Sequence, residues 1–342
     1  MFWGVVLTVL LTGVVTVTLS KIGPIDTPRQ RGLSGWTTAT AGGLAMIAGV
    51  CAGTMLFVAL ELPPPGLGVT PWLLLGACLV GLLGAIDDVI DVKALPKLIV
   101  QVVVALAFCG LVSRVEILPI APGLEINLGF MLGVLGTALW MVVMINAYNF
   151  MDGSDGVAVG AQAIGLFTLA LVNPDRPILA FVLLSASMAN LAFLPYNHPG
   201  KRIFQGDCGA LFSSFLIAGA SVLLATGPNP RATMYLGAFV AAPFLVDVLL
   251  TLLKRARARR PLFQAHDEHL YQRWITVGNR GPGALAWRVW LICAASSAIG
   301  IVVNQFAPDW SLVALLSLIA ALTAAWFGLS AQLDKQVLRS NG

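Results

Sequence analysis

The chain has 342 residues, of which 58% are hydrophobic and 11% charged, with a net charge of +4 and a mean hydropathy of +0.88. Soluble domains are about 45–50% apolar, so the composition excludes an ordinary soluble protein and predicts an all-α polytopic membrane protein. The small positive charge calls for no nucleic acid; it suits anionic lipid headgroups and phosphorylated ligands.

Runs able to cross about 30 Å of hydrocarbon as helix predict eleven spans. In chain order they are 1–19, 41–62, 69–86, 98–112, 128–147, 157–172, 177–194, 210–225, 234–253, 284–306 and 312–329, the fourth, sixth and eighth being the shortest. The first run has no basic stretch before it and is followed by Lys21 instead of a small-residue cleavage site, which predicts a retained helix. The whole chain, 1–342, reads as one integral membrane domain. If the connections are assigned to alternate sides, all but Arg114, Arg176 and Arg231 of the 20 Lys and Arg fall on the side that carries Lys21. Excess Lys and Arg mark the cytoplasmic side, which places the N-terminus outside and the C-terminus in the cytoplasm. Cys51, Cys78, Cys109, Cys208 and Cys293 match no zinc spacing and are expected to be small apolar packers.

The polar motifs all fall on that basic side. At the end of the third span, DDVIDVKALPK sets Asp87 and Asp91 four residues apart, on one face if the helix continues, with Asp88 beside them. Three acids at a helix C-terminus oppose the macrodipole and need a cation nearby. Lys93 and Lys97 can supply it, or can bind a phosphate. After the fifth span, NAYNFMDGSDG brings Asn146, Asn149, Asp152 and Asp155 together with two glycines. That density of oxygen donors in a tight turn suits a hard cation such as Mg²⁺, although the spacing is not that of an EF-hand. HPGKRIFQGDCG carries Lys201 and then Asp207, just before a span, where helix N–H groups favour phosphate. Asp247 lies within the ninth span, a position that is either functional or structurally paired, with Lys254 the nearest partner in sequence. In the last large basic connection, His266 and His269 of HDEH lie three apart, adjacent if the segment is helical, and Arg273 follows. No third ligand for zinc is near.

Taken in order, Asp26-Thr-Pro, Gly42-Gly43, DDVID, NAYNFMDGSDG, FQGDCG and HDEH resemble the polyprenyl-phosphate N-acetylhexosamine-1-phosphate transferases over nearly the whole chain. The resemblance implies transfer of a sugar 1-phosphate from a UDP-HexNAc donor to undecaprenyl phosphate with release of UMP, dependent on Mg²⁺ with Mn²⁺ as the alternative ion. It implies that Asp87 and Asp88 position or deprotonate the lipid phosphate, with Asp91, Lys93, Lys97, Lys201, Asn146 and Arg273 as further substrate contacts. Asp207 and Asn149 would hold the metal, Asp152 and Asp155 line the nucleotide pocket, and His266 and His269 contact diphosphate or sugar. The implied location is the bacterial inner membrane, with the active site facing the cytoplasm and a homodimer as a candidate assembly. The His266-Asp-Glu-His269 form is most similar to O-antigen initiators that use GlcNAc or 6-deoxy sugars such as FucNAc or QuiNAc. Where relatives carry Pro-Thr-Pro-Arg-Gly-Gly, this chain reads Thr38-Ala-Thr-Ala-Gly42-Gly43. Two rival readings are a phospho-MurNAc-pentapeptide transferase and, from another class, a cation-coupled transporter.

Overall fold

A computed structural model describes the chain except residues 27–37, 61–66, 199–201, 228–232, 262–265, 279–280 and 341–342. Lys201, Arg29, Arg31, Arg231 and Arg280 therefore lie outside the described residues. The helices in chain order are α1 (Phe2–Ile22), α2 (Gly43–Leu60), α3 (Thr70–Ile90), α4 (Ala94–Leu111), α5 (Gly129–Phe150), α6 (Val157–Leu171), α7 (Pro177–Asn197), α8 (Gly206–Ala225), α9 (Leu236–Arg257), the short α10 (Leu270–Thr276), α11 (Pro282–Phe306) and α12 (Ser311–Ser340). Each of the eleven predicted spans has its helix. Among the described residues ten are long and apolar enough to cross a membrane, and the sixth, α6, is a shorter apolar helix of 15 residues.

Several boundaries move outward from the hydropathy limits, for local reasons. Helix α4 begins at Ala94 because Pro96, in its first turn, lacks an N–H that would have no intrahelical acceptor there anyway. Helix α5 runs on to Phe150, so Asn146 and Asn149 sit on its last turn and the loop proper is 151–156. Helix α3 carries Asp87 and Asp88 but ends at Ile90. Asp91 is its C-cap with φ 52°, so the expected continuous face through Asp91 does not form.

Helix α8 is the axis of the bundle. Its span is wholly enclosed, and Gly, Ala and Ser make up much of it, which lets neighbouring backbones come close. Helix α3 makes its largest contact with α8, and α2, α5 and α6 also pack on it. Gly84 on α3 faces the backbone of Asp207, where a Cβ would collide, so the helices can cross at this point only with glycine there. The peripheral helices α1 and α12 leave most of their apolar surface facing outward, as lipid-facing helices do.

Two small antiparallel ribbons complete the fold. Strand β1 (Ile25–Asp26) pairs with β2 (Thr38–Ala39), and β2 bridges to Ile203 in the segment leading into α8. The Gly42 and Gly43 N–H groups then donate to Phe204 and Gln205 carbonyls, at 3.0 and 2.9 Å, which ties the start of α2 to the start of α8. Strands β3 (Ile117–Ala121) and β4 (Leu124–Asn127) form a hairpin between α4 and α5, which hydropathy alone did not predict. The five cysteines are free and pack within or beside the helices, as expected.

Candidate active site

The C-terminal ends of α3 and α5 and the N-terminal end of α8 meet at one end of the bundle. Lys97, one turn into α4, joins two of them: its ammonium donates to Asp87 Oδ2 at 2.8 Å and to Asp207 Oδ2 at 2.7 Å. The other oxygens of these carboxylates are also engaged. Asp87 Oδ1 accepts from the Val92 N–H at 2.7 Å, and Asp207 Oδ1 accepts from Asn149 Nδ2 at 3.1 Å. Four helices thus send one polar group each to a single point, around a positive charge.

Asp88 serves a different bond. Its two oxygens accept from the Asp207 and Cys208 N–H groups, at 2.9 and 3.3 Å, in the first turn of α8. Those donors have no intrahelical acceptor, and a carboxylate also complements the positive end of the helix dipole. Gly206, with φ +67°, lies against this carboxylate so closely that a Cβ would collide with it. The resemblance implied a shared role for Asp87 and Asp88 at the lipid phosphate; in the structure one carboxylate meets Lys97 and the other the α8 backbone.

The 151–156 turn lies alongside. Asp152 Oδ1 accepts from Gln205 Nε2 at 2.7 Å, which links the turn to the residue two before Asp207. Burial pushes the Asp152 carboxyl well above the usual carboxylate range; the Gln205 hydrogen bond opposes this, and neighbouring Asp207, Asp88 and Asp155 reinforce it. Asp155 is buried. Asn146 Nδ2 donates to Gln101 Oε1 of α4 at 2.6 Å and to the Val142 carbonyl at 2.8 Å. Asp91 and Lys93 stand exposed in the short α3–α4 connection.

The histidine segment docks on the same end. Residues 266–268 are not helical and His269 is the N-cap of α10, so the expected pairing on one helical face does not arise. The rings meet nevertheless, with centroids 4.8 Å apart, because the turn folds one over the other. Burial lowers the pKa of His266, helped by Arg255 and opposed by Glu268. Burial, His266 and Arg255 push His269 down to about 3. At neutral pH these rings are neutral hydrogen-bonding partners, not cations. Glu268 pairs with Arg255 and, at 2.8 Å, with Arg260. Arg273 does not turn to the carboxylates: its guanidinium binds Ser330 at 3.0 Å and Asp334 at 2.6 Å on α12.

Asp247, for which Lys254 was the candidate partner, is held by other groups. It is buried and accepts from Trp326 Nε1 at 2.9 Å, the Leu270 N–H at 2.9 Å, Thr251 Oγ1 at 3.2 Å and the Tyr271 N–H at 3.4 Å. Three residues of this region had drawn no notice from sequence: Gln205, Gln101 and Tyr271. Gln101 carried a usable signal, being the one polar residue in an apolar run and one turn beyond Lys97. Tyr271 carried none.

A divalent cation fits the donor set. Asp87 and Asp207 offer hard oxygen donors that already converge on a positive group. Among the described residues no three His, Cys, Asp or Glu side chains are grouped to hold a metal by themselves. Mg²⁺ takes one or two carboxylates from a protein and fills its shell with water and substrate phosphate, so two converging carboxylates are enough donors for it.

The glycosyl transferase family 4 model matches residues 70–225, which include both helices that carry the converging carboxylates. The chain is similar to a decaprenyl-phosphate N-acetylglucosaminephosphotransferase of Mycobacterium leprae, 32% identical over 305 residues, covering 80% of this chain and 75% of the relative. It is also similar to a probable undecaprenyl-phosphate N-acetylglucosaminyl 1-phosphate transferase of Bacillus subtilis, 30% identical, covering 80% and 75%. A phospho-N-acetylmuramoyl-pentapeptide-transferase of Rubrobacter xylanophilus is 30% identical over 213 residues, covering 60% and 61%.

Proposed function

The chain belongs to glycosyl transferase family 4, the polyprenyl-phosphate N-acetylhexosamine-1-phosphate transferases, and we propose that it moves HexNAc 1-phosphate from a UDP-HexNAc to undecaprenyl phosphate, releasing UMP. The donor in this reading is UDP-GlcNAc or a 6-deoxy relative, and the product starts a cell-surface polysaccharide such as an O-antigen. The observation that carries it is the convergence of Asp87 and Asp207 on one cationic point, beside the Asn149 amide and the 151–156 turn.

Phosphoryl transfer needs charge neutralisation and in-line placement more than covalent help from the protein. Mg²⁺ bound through Asp207 and Asp87 would neutralise the donor diphosphate. Asn149 orients Asp207, and Asp88 fixes the first turn of α8, so the Asp207 carboxylate keeps its direction. Lys97 and the exposed Lys93 offer positive charge for the phosphate of the lipid acceptor. With a second pKa of about 6, that phosphate is already largely dianionic at neutral pH, so it can attack without a strong base. The buried His269 and the half-buried His266, both neutral, would accept or donate hydrogen bonds at the sugar or diphosphate. Against a cation-coupled transporter stands the position of Asp87, Asp88, Asp152 and Asp207, at helix ends or in the turn beside them; Asp247, midway along α9, is filled by four protein donors.

Two experiments test this reading. Purified protein with undecaprenyl phosphate and Mg²⁺ is expected to release UMP and form lipid-linked sugar with UDP-GlcNAc or a UDP-6-deoxy-HexNAc. It is expected not to do so with UDP-MurNAc-pentapeptide, and efficient turnover of that donor would move the chain to the peptidoglycan branch. For the location, single cysteines near Asp91, Asp155, Arg202 and Asp267, on a background without the native cysteines, are expected to react with an impermeant maleimide only from the cytoplasmic side. Labelling of any of the four from outside would break the single-face arrangement.

A further inference from the structure

The histidine segment and the aspartate turn come from distant parts of the chain, and one side chain joins them directly. The Tyr271 hydroxyl accepts from the Gly153 N–H and donates to the Phe150 carbonyl, both at 3.1 Å. Tyr271 is 3% exposed, so water does not compete for these groups. Gly153 approaches so closely that a Cβ there would collide with the hydroxyl. The His269 ring, two residues earlier, stacks between Phe150 and Tyr271, with centroids 6.1 and 6.0 Å away.

Tyr271 is itself held from below. Its N–H and that of Leu270 donate to Asp247, whose carboxylate also receives Thr251 and the Trp326 indole of α12. One carboxylate can accept all four donors because it has two oxygens and no proton to place. An unbroken path therefore runs from α12 through Asp247 and Tyr271 to the backbone that carries Asp152. Tyr271 and Trp326 were marked by neither resemblance nor charge, and Asp247 was marked by its charge alone, with its role left open.

We infer that Tyr271 is a positioning residue for the transfer reaction, that it locks the aspartate turn to the histidine segment, and that Asp247 sets it in place. This rests on the proposed transferase reading for its kinetic consequence, while the coupling itself can be measured without substrate. Tyr271→Phe keeps the ring but loses the only group that can both donate to Phe150 and accept from Gly153. Asp247→Asn keeps the shape but turns an amide N–H₂ toward groups that are all donors.

The test combines kinetics with hydrogen–deuterium exchange on the full-length protein in detergent. Tyr271→Phe should lower kcat at least about tenfold while the donor KM stays within about threefold, since the reacting groups are misplaced and not removed. Amide exchange in 151–156 should rise at least about tenfold, with α6 and α7 unchanged. Asp247→Asn should raise exchange in the same 151–156 segment, which it does not touch; a carboxylate that served only α10 would leave that segment alone. If Asp247→Asn does not fold, Gly153→Ala, which crowds the hydroxyl from the other side, must give the same kcat loss. Unchanged exchange at 151–156 in Tyr271→Phe, or kcat within about twofold of the parent, overturns the assignment. A parent protein that transfers no sugar from any donor would overturn the proposed reaction instead, and the exchange measurements would still decide the coupling.

Discussion

Asp207→Asn is expected to lower transfer by about a thousandfold, equivalent to roughly 4 kcal/mol of lost transition-state stabilisation. The amide has the shape of the carboxylate but not its charge, and charge is what holds a hard dication and pairs with Lys97 at 2.7 Å. The fold should survive, because Asp87 still partners Lys97 and Asp88 still holds the first turn of α8. The measurement is UMP release against Mg²⁺ concentration, with the melting midpoint as control. Near-parent turnover at saturating Mg²⁺ would remove Asp207 from the metal role.

Asp88→Ala and Asp87→Asn are expected to fail in different ways, although the residues are neighbours. Removing the Asp88 carboxylate orphans the Asp207 and Cys208 N–H groups at the start of the central helix, a cost of about 1–3 kcal/mol. Activity should fall with it, because the direction of Asp207 depends on that turn. Asp87→Asn leaves the α8 backbone untouched and should reduce transfer by about a hundredfold or more with little change in melting. Melting curves and turnover, measured together for both variants, decide the matter. Parent-like melting of an inactive Asp88→Ala would make Asp88 a substrate contact instead of a helix anchor.

The difference between those neighbours shows where sequence reading stops. The acids could be seen to gather at one end because hydropathy fixes where helices leave the membrane. It could not be seen that Asp87 and Asp88, about 100° apart around α3, would point at different partners. Arg273 looked like a substrate contact because it follows the histidines, yet α12, some sixty positions later in the chain, takes its guanidinium. Asp247 had Lys254 as its candidate partner in sequence, whereas three of its four donors come from α10 and α12 and the fourth is Thr251 of its own helix.

By itself the sequence determined the class of fold, the eleven helices and the crowding of oxygen donors at one end. A bilayer allows few alternatives, since each span must satisfy its own backbone hydrogen bonds and cover a fixed thickness of hydrocarbon. Motif order identified the family for the same reason, each motif being bound to a helix end. The tertiary structure alone decided which side chains meet: Lys97 between two carboxylates, Asp88 on the α8 backbone, and Tyr271 bridging two segments 118 residues apart. Such pairings depend on how each helix is rotated and how closely it approaches its neighbours. Those quantities are set by glycine contacts such as Gly84 against Asp207, which a one-dimensional pattern of polarity does not contain.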